Sequence, residues 1–215
     1  MREILIADDH PLFRDALKRA VQTEWPNALL YEADSVPALQ QLADAHPEAD
    51  LLLLDLHMPG ASGFSALVHL RGQYPALPII VVSAHEERAV AARAIAHGAS
   101  GYIPKSASVG AITDAMRSVL AGDVWWPDRG TTASPLQPDE ADAAARIADL
   151  TPQQFRVLAM IAEGLLNKQI AYDLGVSEAT VKAHMTAIMR KLGVGNRTQV
   201  ALLASHLALD DESLA

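Results

Sequence analysis

The chain has 215 residues, enough for one large domain or two small ones with hydrophobic cores. Half of the residues are hydrophobic and a fifth are charged, which indicates a globular protein and excludes a largely disordered one. There is no cysteine, so disulfides and thiolate metal sites are excluded. With no secretory signal pattern and no run of 18 apolar residues, we expect a cytoplasmic protein that has no contact with a membrane.

The net charge of −9 is unevenly distributed along the chain. Residues 1–128 carry a net charge of −7, whereas residues 150–209 carry +3. An acidic first part and a basic second part predict two domains with different partners.

Five short apolar runs predict β-strands in the first part: EILIA (3–7), LLYE (29–32), LLLL (51–54), IIVV (79–82) and GYI (101–103). The segments between them have apolar residues at three- and four-residue spacing, the pattern of amphipathic helices. Strands that are apolar throughout and alternate with helices predict a parallel sheet covered on both faces. We therefore expect residues 1–122 to form a flavodoxin-like (βα)5 domain, which binds its ligands at the carboxyl ends of the strands.

The pattern changes after Gly122. Residues 123–149 are rich in proline, small residues and acids, which predicts a linker with a short helix near 139–148. Residues 150–209 contain four helical segments and no strand pattern, so we expect an all-α, four-helix second domain.

Polar side chains follow several of the predicted strands: Asp8 and Asp9 after the first, Asp55 after the third, Ser83 at the end of the fourth, and Lys105 after the fifth. These positions converge at one edge of a parallel sheet. Neighbouring carboxylates repel each other unless a cation compensates, and oxygen ligands suit Mg²⁺. A carboxylate beside Mg²⁺ and an ammonium group can act as a nucleophile toward a phosphoryl group. The alternative is that Asp8 and Asp9 cap the first helix and Asp55 only ends a strand.

The motifs IADDHPLFR, LLLLDLHMPGASG, VVSAH and GYIPK occur in the order and spacing of a response-regulator receiver domain, which residues 1–122 resemble. The resemblance implies that Asp55 is the phosphoacceptor and that Lys105 and Ser83 contact the phosphoryl group. Ser83 and Tyr102 would be switch residues. The implied Mg²⁺ ligands are Asp8, mostly through water, Asp9, the Asp55 carboxylate and the backbone carbonyl of His57. At the mouth of the site, His57 and His85 are expected to tune the lifetime of the phosphoryl group.

The helical domain contains start signals for its helices. Thr151, Pro152 and Gln154 form a capping-box pattern, Asn167 can cap the second helix, and Ser177 can cap the third after a turn at Gly175. Two helices joined by such a turn can place the second helix in the major groove of DNA.

The polar face of the third helix, together with Lys168 in the second, offers candidate DNA contacts. The opposite face carries an apolar stripe that includes Val181 and Ile188. The candidates are Lys168, Thr180, Lys182, Ala183, Thr186, Arg190 and Lys191. Lys182 and Thr186 are four residues apart and suit base edges, whereas Lys168, Arg190 and Lys191 suit phosphates. Charge alone leaves open an ordinary helical bundle with a solvated face.

Residues 150–205 resemble a LuxR-type helix-turn-helix domain at LTP, NKQIAxxL, SxxTVKxH, IMRKLGV and RTQ. The sequence QQFR (153–156) departs from the Arg-Glu-rich tetrad that is common in this family, which is expected to alter helix packing. Thr186 stands where some relatives have a basic residue, which leaves the base preference open. The last helix resembles the family's dimerisation helix, with Val200, Ala201, Ala204 and Leu207 as candidate seam residues.

The combination resembles the NarL/FixJ class of two-component response regulators. It implies phosphorylation by a sensor histidine kinase, a homodimer that binds paired half-sites in double-stranded promoter DNA, and RNA polymerase as a further candidate partner. It implies no metabolic enzyme, only self-catalysed phosphorylation and dephosphorylation of Asp55. Two other hypotheses are a phosphatase with an aspartyl-phosphate intermediate and a binding module that is never phosphorylated. The first lacks the expected second acid, because His57 stands two residues after Asp55.

Overall fold

A single parallel sheet organises the first half of the chain. The computed structural model describes residues 2–61, 63–127 and 136–209. Five strands occur, at Glu3–Ala7 (β1), Leu29–Ala33 (β2), Leu51–Asp55 (β3), Ile79–Ser83 (β4) and Gly101–Pro104 (β5). All four pairings are parallel and the order is β2-β1-β3-β4-β5. The central position of β3 explains why every residue from Leu51 to Asp55 is buried.

Helices cover both faces of this sheet, at Pro11–Glu24 (α1), Val36–Ala45 (α2), Ser65–Gln73 (α3), Arg88–Ala96 (α4) and Val109–Leu120 (α5). Alternate strand residues enter different cores: Leu51 and Leu53 pack with residues of α1 and α5, whereas Leu52 and Leu54 pack with residues of α2, α3 and α4. This two-sided burial is the physical reason for the apolar strands. The predicted (βα)5 fold is confirmed, and we call residues up to 127 the α/β half.

The rest of the described chain is helical, with Pro138–Ala148 (α6), Pro152–Ala162 (α7), Asn167–Leu174 (α8), Glu178–Leu192 (α9) and Arg197–Ser205 (α10). We call residues 136–209 the helical half. The helix predicted within the linker is present as α6, and it packs against both α3 and α9. The domain boundaries stay a prediction, and residues 128–135 of the expected linker lie outside the described part. None of the described helices has the length and apolarity needed to span a bilayer.

Local signals account for most of the helix starts in this half. Thr151 and Gln154 form the predicted capping box, and the Ser177 hydroxyl accepts a hydrogen bond from the Thr180 N–H (3.1 Å). The prediction that Asn167 caps α8 is wrong, since Asn167 is the first helical residue and its Oδ1 instead accepts a hydrogen bond from Arg197 (3.2 Å). The side chain of Asn167 therefore joins two helices.

Candidate functional site

Two buried carboxylates and one ammonium group meet at the carboxyl edge of the sheet. Asp8 follows β1 and Asp55 ends β3, and each side chain is 1% exposed. Lys105, which follows β5, places its Nζ 2.8 Å from Asp8 Oδ2 and 2.8 Å from Asp55 Oδ2. The ring of Phe13 lies 5.0 Å from the same nitrogen. The sequence-predicted convergence of these strand ends is therefore present in the fold.

The outer side of this cluster is formed by Asp9 and His10. The His10 Nδ1 lies 2.7 Å from Asp9 Oδ1 and 3.2 Å from Asp8 Oδ1. His10 occupies the N-cap position of α1, and no side chain caps that helix. Asp8 accepts a hydrogen bond from the His10 N–H (2.7 Å) inside the cluster. This geometry does not support the alternative that the two acids serve only as helix caps.

Burial and charge act against each other on the two groups at the centre. Burial raises the pKa of the Asp55 carboxyl above its usual value, while the hydrogen bond from Lys105 works in the opposite direction. Burial alone would lower the pKa of Lys105, but its hydrogen bonds to Asp55 and Asp8 outweigh burial and the net pKa is raised. Lys105 is therefore a permanent ammonium group at neutral pH.

A cleft of about 330 Å³ opens above Asp55, and its lining includes Lys105 and three histidines, His10, His57 and His85. The rings of His57 and His85 stack with 5.2 Å between their centroids. The N–H of His57 donates to Asp55 Oδ1 (3.2 Å). A small anionic group bonded to Asp55 would therefore be enclosed by nitrogen-bearing side chains on one side and by Lys105 on the other.

Ser83 and Tyr102 lie behind this cleft, and both are fully buried. The Ser83 Oγ accepts a hydrogen bond from the His85 N–H (3.3 Å), and the Tyr102 hydroxyl donates to the His85 carbonyl (2.7 Å). Burial raises the pKa of Tyr102 to about 12, so the phenol remains a hydrogen-bond donor at neutral pH. Both predicted switch residues thus hold the same short segment after β4. The peptide bonds of the described residues are all trans, including Ile103–Pro104.

The same cluster fits a hard divalent cation. One ligand atom from each of Asp8, Asp9, His10 and Asp55 can be chosen so that all lie within 4.8 Å of one another. Three of these ligands are carboxylates, the ligand type that Mg²⁺ prefers. The Lys105 ammonium group lies 2.8 Å from Asp8 Oδ2 and from Asp55 Oδ2, so these oxygens are already paired with one positive charge of the chain itself.

Six of the predicted DNA-contacting side chains lie at the surface of the helical half. Lys168, Thr180, Lys182, Ala183, Thr186 and Arg190 are exposed. On the opposite side of α9, Val181, Met185, Ile188 and Leu192 are buried. The polar side of α9 is therefore accessible to a groove of DNA, as the spacing of its apolar residues predicted.

Two of the predicted contacts have local partners. Lys191 is half-buried, and its ammonium donates to the Asp149 carbonyl (2.7 Å) at the end of α6, so it is held away from phosphates in this conformation. The Thr186 hydroxyl donates to the Lys182 carbonyl (3.0 Å), which leaves its methyl group as the outward contact. Among the predicted contacts of α9, Lys182 is an exposed charged side chain, and its role in base contact stays a prediction.

Comparison with known proteins identifies both halves. Residues 4–117 match the model of the response regulator receiver domain, and residues 148–204 match that of the bacterial regulatory proteins of the luxR family. The chain is 40% identical over 213 residues to the glycerol metabolism activator of Pseudomonas putida, with 96% of each sequence covered. It is 33% identical over 203 residues to the nitrate/nitrite response regulator protein NarL of Escherichia coli K12, with 93% of each covered.

The chain belongs to the NarL/LuxR family of response regulators. Among solved structures, RcsB from Salmonella enterica serovar Typhimurium, bound to a promoter in the presence of the phosphomimetic BeF3−, matches with a TM-score of 0.54 and 25% identity. The match covers 96% of this chain and 99% of that one. The chain is thus a DNA-binding regulator of the two-component type, and its relatives are transcription regulators, not metabolic enzymes.

The dimerisation seam expected for this response regulator stays a prediction. Val200, Ala204 and Leu207 have at most 4% exposure, because this side of the last helix packs into the core of the helical half. In this conformation these three residues therefore offer little surface to a second copy, whereas Ala201 is half-buried. The large apolar side chain exposed on α10 is Leu202, at 62%.

Sequence reasoning did not find the residues that join the two halves of the regulator. His69 of α3 stacks on Phe155 of α7, with 4.2 Å between the ring centroids. Glu140 of α6 contacts Arg93 of α4 and His97, which follows α4 directly. The available signal was the run ALVHL (66–70) in α3, because a helix with apolar residues at successive positions is expected to be covered on more than one side. In the structure, all six residues from Ser65 to Leu70 are buried.

Proposed function

We propose that this response regulator is a phosphorylation-controlled transcription factor of the cytoplasm whose Asp55 accepts a phosphoryl group from a sensor histidine kinase. The observation that carries the proposal is the geometry at the centre of the site. Asp55 is buried, its Oδ2 lies 2.8 Å from Lys105 Nζ, and it opens into a cleft with room for a phosphoryl group. A carboxylate that only ended a strand would need neither a buried ammonium partner nor an adjoining cleft.

In the transfer step, an Asp55 carboxylate oxygen attacks phosphorus in line with the kinase histidine. The new bond is P–O, the bond that breaks is P–N, and the imidazole leaves with its electron pair. Lys105 stabilises the charge on the phosphoryl oxygens, and the Ser83 hydroxyl is the second donor of this chain. Dephosphorylation is the attack of water on the same phosphorus, again promoted by this chain's own residues.

Mg²⁺ is the proposed cofactor, held by Asp9, the Asp55 carboxylate and the carbonyl of His57, with Asp8 mostly through water. When bound, it supplies positive charge that compensates the phosphoryl oxygens. The chain's part is to keep three carboxylates at one point of the sheet edge. His57 and His85 flank the cleft and control the access of water to the phosphoryl group.

The output is binding to double-stranded promoter DNA through α9. Lys182 and Thr186, with Thr180 and Ala183, face base edges, and Lys168 and Arg190 face phosphates. A homodimer on paired half-sites and contact with RNA polymerase complete the proposal. Ser83 and Tyr102 carry the change outward, because both are bonded to the segment at His85 that precedes α4.

Incubation with acetyl phosphate and Mg²⁺ tests the phosphoacceptor role. The wild type is expected to gain one phosphoryl group by intact-protein mass spectrometry, and Asp55→Asn is expected to gain none. Asp34→Asn is a matched control, since Asp34 follows β2 at the outer edge of the same sheet and is exposed. Equal incorporation by wild type and Asp55→Asn would refute the assignment, and steady release of phosphate from a sugar phosphate would favour a phosphatase.

A further inference from the structure

Two helix ends lie close together inside the helical half. The linker helix α6 ends at Ala148, the third helix α9 ends at Leu192, and the two helices pack against each other. The last turn of each helix has carbonyl groups without a helical partner, and these groups carry a partial negative charge. Two such ends at close distance repel each other, so their approach requires positive charge.

A cation from each helix supplies this charge to the end of the other. Arg146 of α6 donates from its Nη1 to the Leu192 carbonyl (2.5 Å). In return, Lys191 of α9 donates from its Nζ to the carbonyl of Asp149 (2.7 Å), the residue that follows α6. Cations stabilise the C-terminus of a helix, and charged donors form stronger hydrogen bonds than neutral ones. The two helices therefore cap each other, and we call these two hydrogen bonds the reciprocal clamp.

The guanidinium of Arg146 has a fixed orientation in this clamp. Its Nε and Nη2 are bonded to Asp142, one turn earlier on α6 (3.0 and 2.8 Å), while its Nη1 reaches α9. Gly193 makes room for it, because a Cβ atom at this position would lie 2.8 Å from Arg146 Nη1. The φ of Gly193 is 65°, the left-handed conformation that ends α9 and that favours glycine. The residue after α9 thus suits both the end of the helix and the approach of Arg146.

The clamp acts on the direction of α9. The buried side of this helix packs through Val181, Met185 and Ile188, but apolar contacts are not directional. A hydrogen bond to the last carbonyl fixes one end of the helix. Lys182 and Leu192 are ten residues apart, which is about 15 Å along a helix at 1.5 Å per residue. A tilt of about 10° at the clamped end would therefore move Lys182 by about 2.6 Å, more than a hydrogen bond to a base edge tolerates.

We propose that Arg146 and Lys191 are positioning residues for base recognition by α9, and that the DNA-reading unit therefore begins with the linker helix α6. Arg146 acts through the Leu192 carbonyl. Lys191 acts through the Asp149 carbonyl and not through a phosphate of DNA. The inference rests on the proposed contact of Lys182 with a base edge. It goes beyond that contact, because it assigns part of the base discrimination to two residues that do not touch the bases.

Competition binding with three DNA duplexes tests the role of Arg146 in the full-length protein. The first duplex is selected from a random-sequence library by the wild type. The second differs from it by one base pair, at the position where Lys182→Ala loses discrimination, and the third is a scrambled duplex of the same composition. Arg146→Ala is expected to lower the ratio of affinities for the first and second duplexes at least about fivefold, the lower bound of what one base contact supplies. Its affinity for the scrambled duplex is expected to stay unchanged, because phosphate contacts dominate non-specific binding.

A double substitution separates positioning from a loss of stability. If Arg146 acts through Lys182, Arg146→Ala causes no further loss of discrimination in a Lys182→Ala protein. Partial unfolding would instead lower the affinity for every duplex by the same factor. The Arg146 side chain is 37% exposed and alanine favours helices, so the variant is expected to fold, which urea unfolding checks. The matched control is Arg19→Ala, the same change at an exposed position of α1, which is expected to bind all three duplexes as the wild type does.

The salt dependence of binding tests the role of Lys191. Lys191→Ala is expected to lower discrimination as Arg146→Ala does. It is expected to leave the slope of log affinity against log salt unchanged, because an ammonium group bonded to the Asp149 carbonyl releases no counterion from DNA. Arg190→Ala, the same kind of change one position earlier, is the comparison and is expected to reduce that slope by about one.

Each alternative outcome contradicts a definite part of the inference. Wild-type discrimination in Arg146→Ala, an equal loss on all three duplexes, or an additive loss in the double variant would overturn the positioning role of Arg146. A slope that falls by about one in Lys191→Ala would make Lys191 a phosphate contact and overturn its part in the clamp. If the library yields no preferred duplex, or if Lys182→Ala keeps full discrimination at every position, the proposed base recognition by Lys182 fails and the positioning role fails with it.

Discussion

Acid is expected to weaken the protein through His69, because the imidazole is fully buried and burial lowers its pKa from 6.5 to about 4. The unfolded chain binds a proton at this residue below pH 6.5, whereas the folded chain does not until about pH 4. The contribution of neutral His69 to the free energy of unfolding is therefore fully present above pH 6.5 and is lost as the pH falls toward 4. At pH 5 the linkage relation gives a loss of about 2 kcal/mol in the free energy of unfolding relative to pH 8.

His69→Phe removes the titrating group and keeps an aromatic ring against Phe155. Urea unfolding is followed by tryptophan fluorescence, since Trp25, Trp125 and Trp126 all lie in the α/β half. Between pH 8 and pH 5, the free energy of unfolding is expected to fall by about 2 kcal/mol more in the wild type than in the variant. The other histidines are common to both proteins and cancel in this comparison. An equal loss in wild type and variant would show that His69 does not remain neutral in the folded chain.

Three further substitutions test the predicted DNA-contacting side of α9 and the contact between the two halves. Lys182→Ala is expected to weaken discrimination at one base position by about 1–3 kcal/mol, measured by competition binding with operator variants. Arg190→Ala is expected to lower affinity equally on all sequences and to reduce the slope of log affinity against log salt by about one, measured by salt titration. Phe155→Gln is expected to destabilise the chain by about 3 kcal/mol, measured by urea unfolding. A sequence-independent loss of affinity for Lys182→Ala, or an unchanged free energy of unfolding for Phe155→Gln, would contradict these assignments.

The fold was predictable where a single physical signal dominates. A strand such as LLLL at 51–54 is apolar throughout because both faces of β3 are covered, and that signal needs no knowledge of the rest of the chain. The meeting of Asp8, Asp55 and Lys105 was predictable for a similar reason, since parallel strands all end at one edge. Topology alone brings those charges together.

The contacts between the halves were not predictable in the same way. Glu140 looks like an ordinary first-turn acid of a surface helix, and only the packing of α6 on α3 buries it against Arg93 and His97. Likewise, the periodicity of α10 identified its apolar side correctly but not what covers it. Val200 and Ala204 pack against the chain's own core, and a seam with a second copy could not be distinguished from this by spacing alone.

The unusual tetrad QQFR (153–156) supplies a residue at the contact between the two halves of the chain. Where the LuxR-type family commonly has charged residues, this chain has Phe155, which is 1% exposed and stacks on His69. A charged side chain at this position would have to be desolvated against α3, at a cost that an aromatic ring does not have. An aromatic residue at this position therefore suits the packing of α7 against α3.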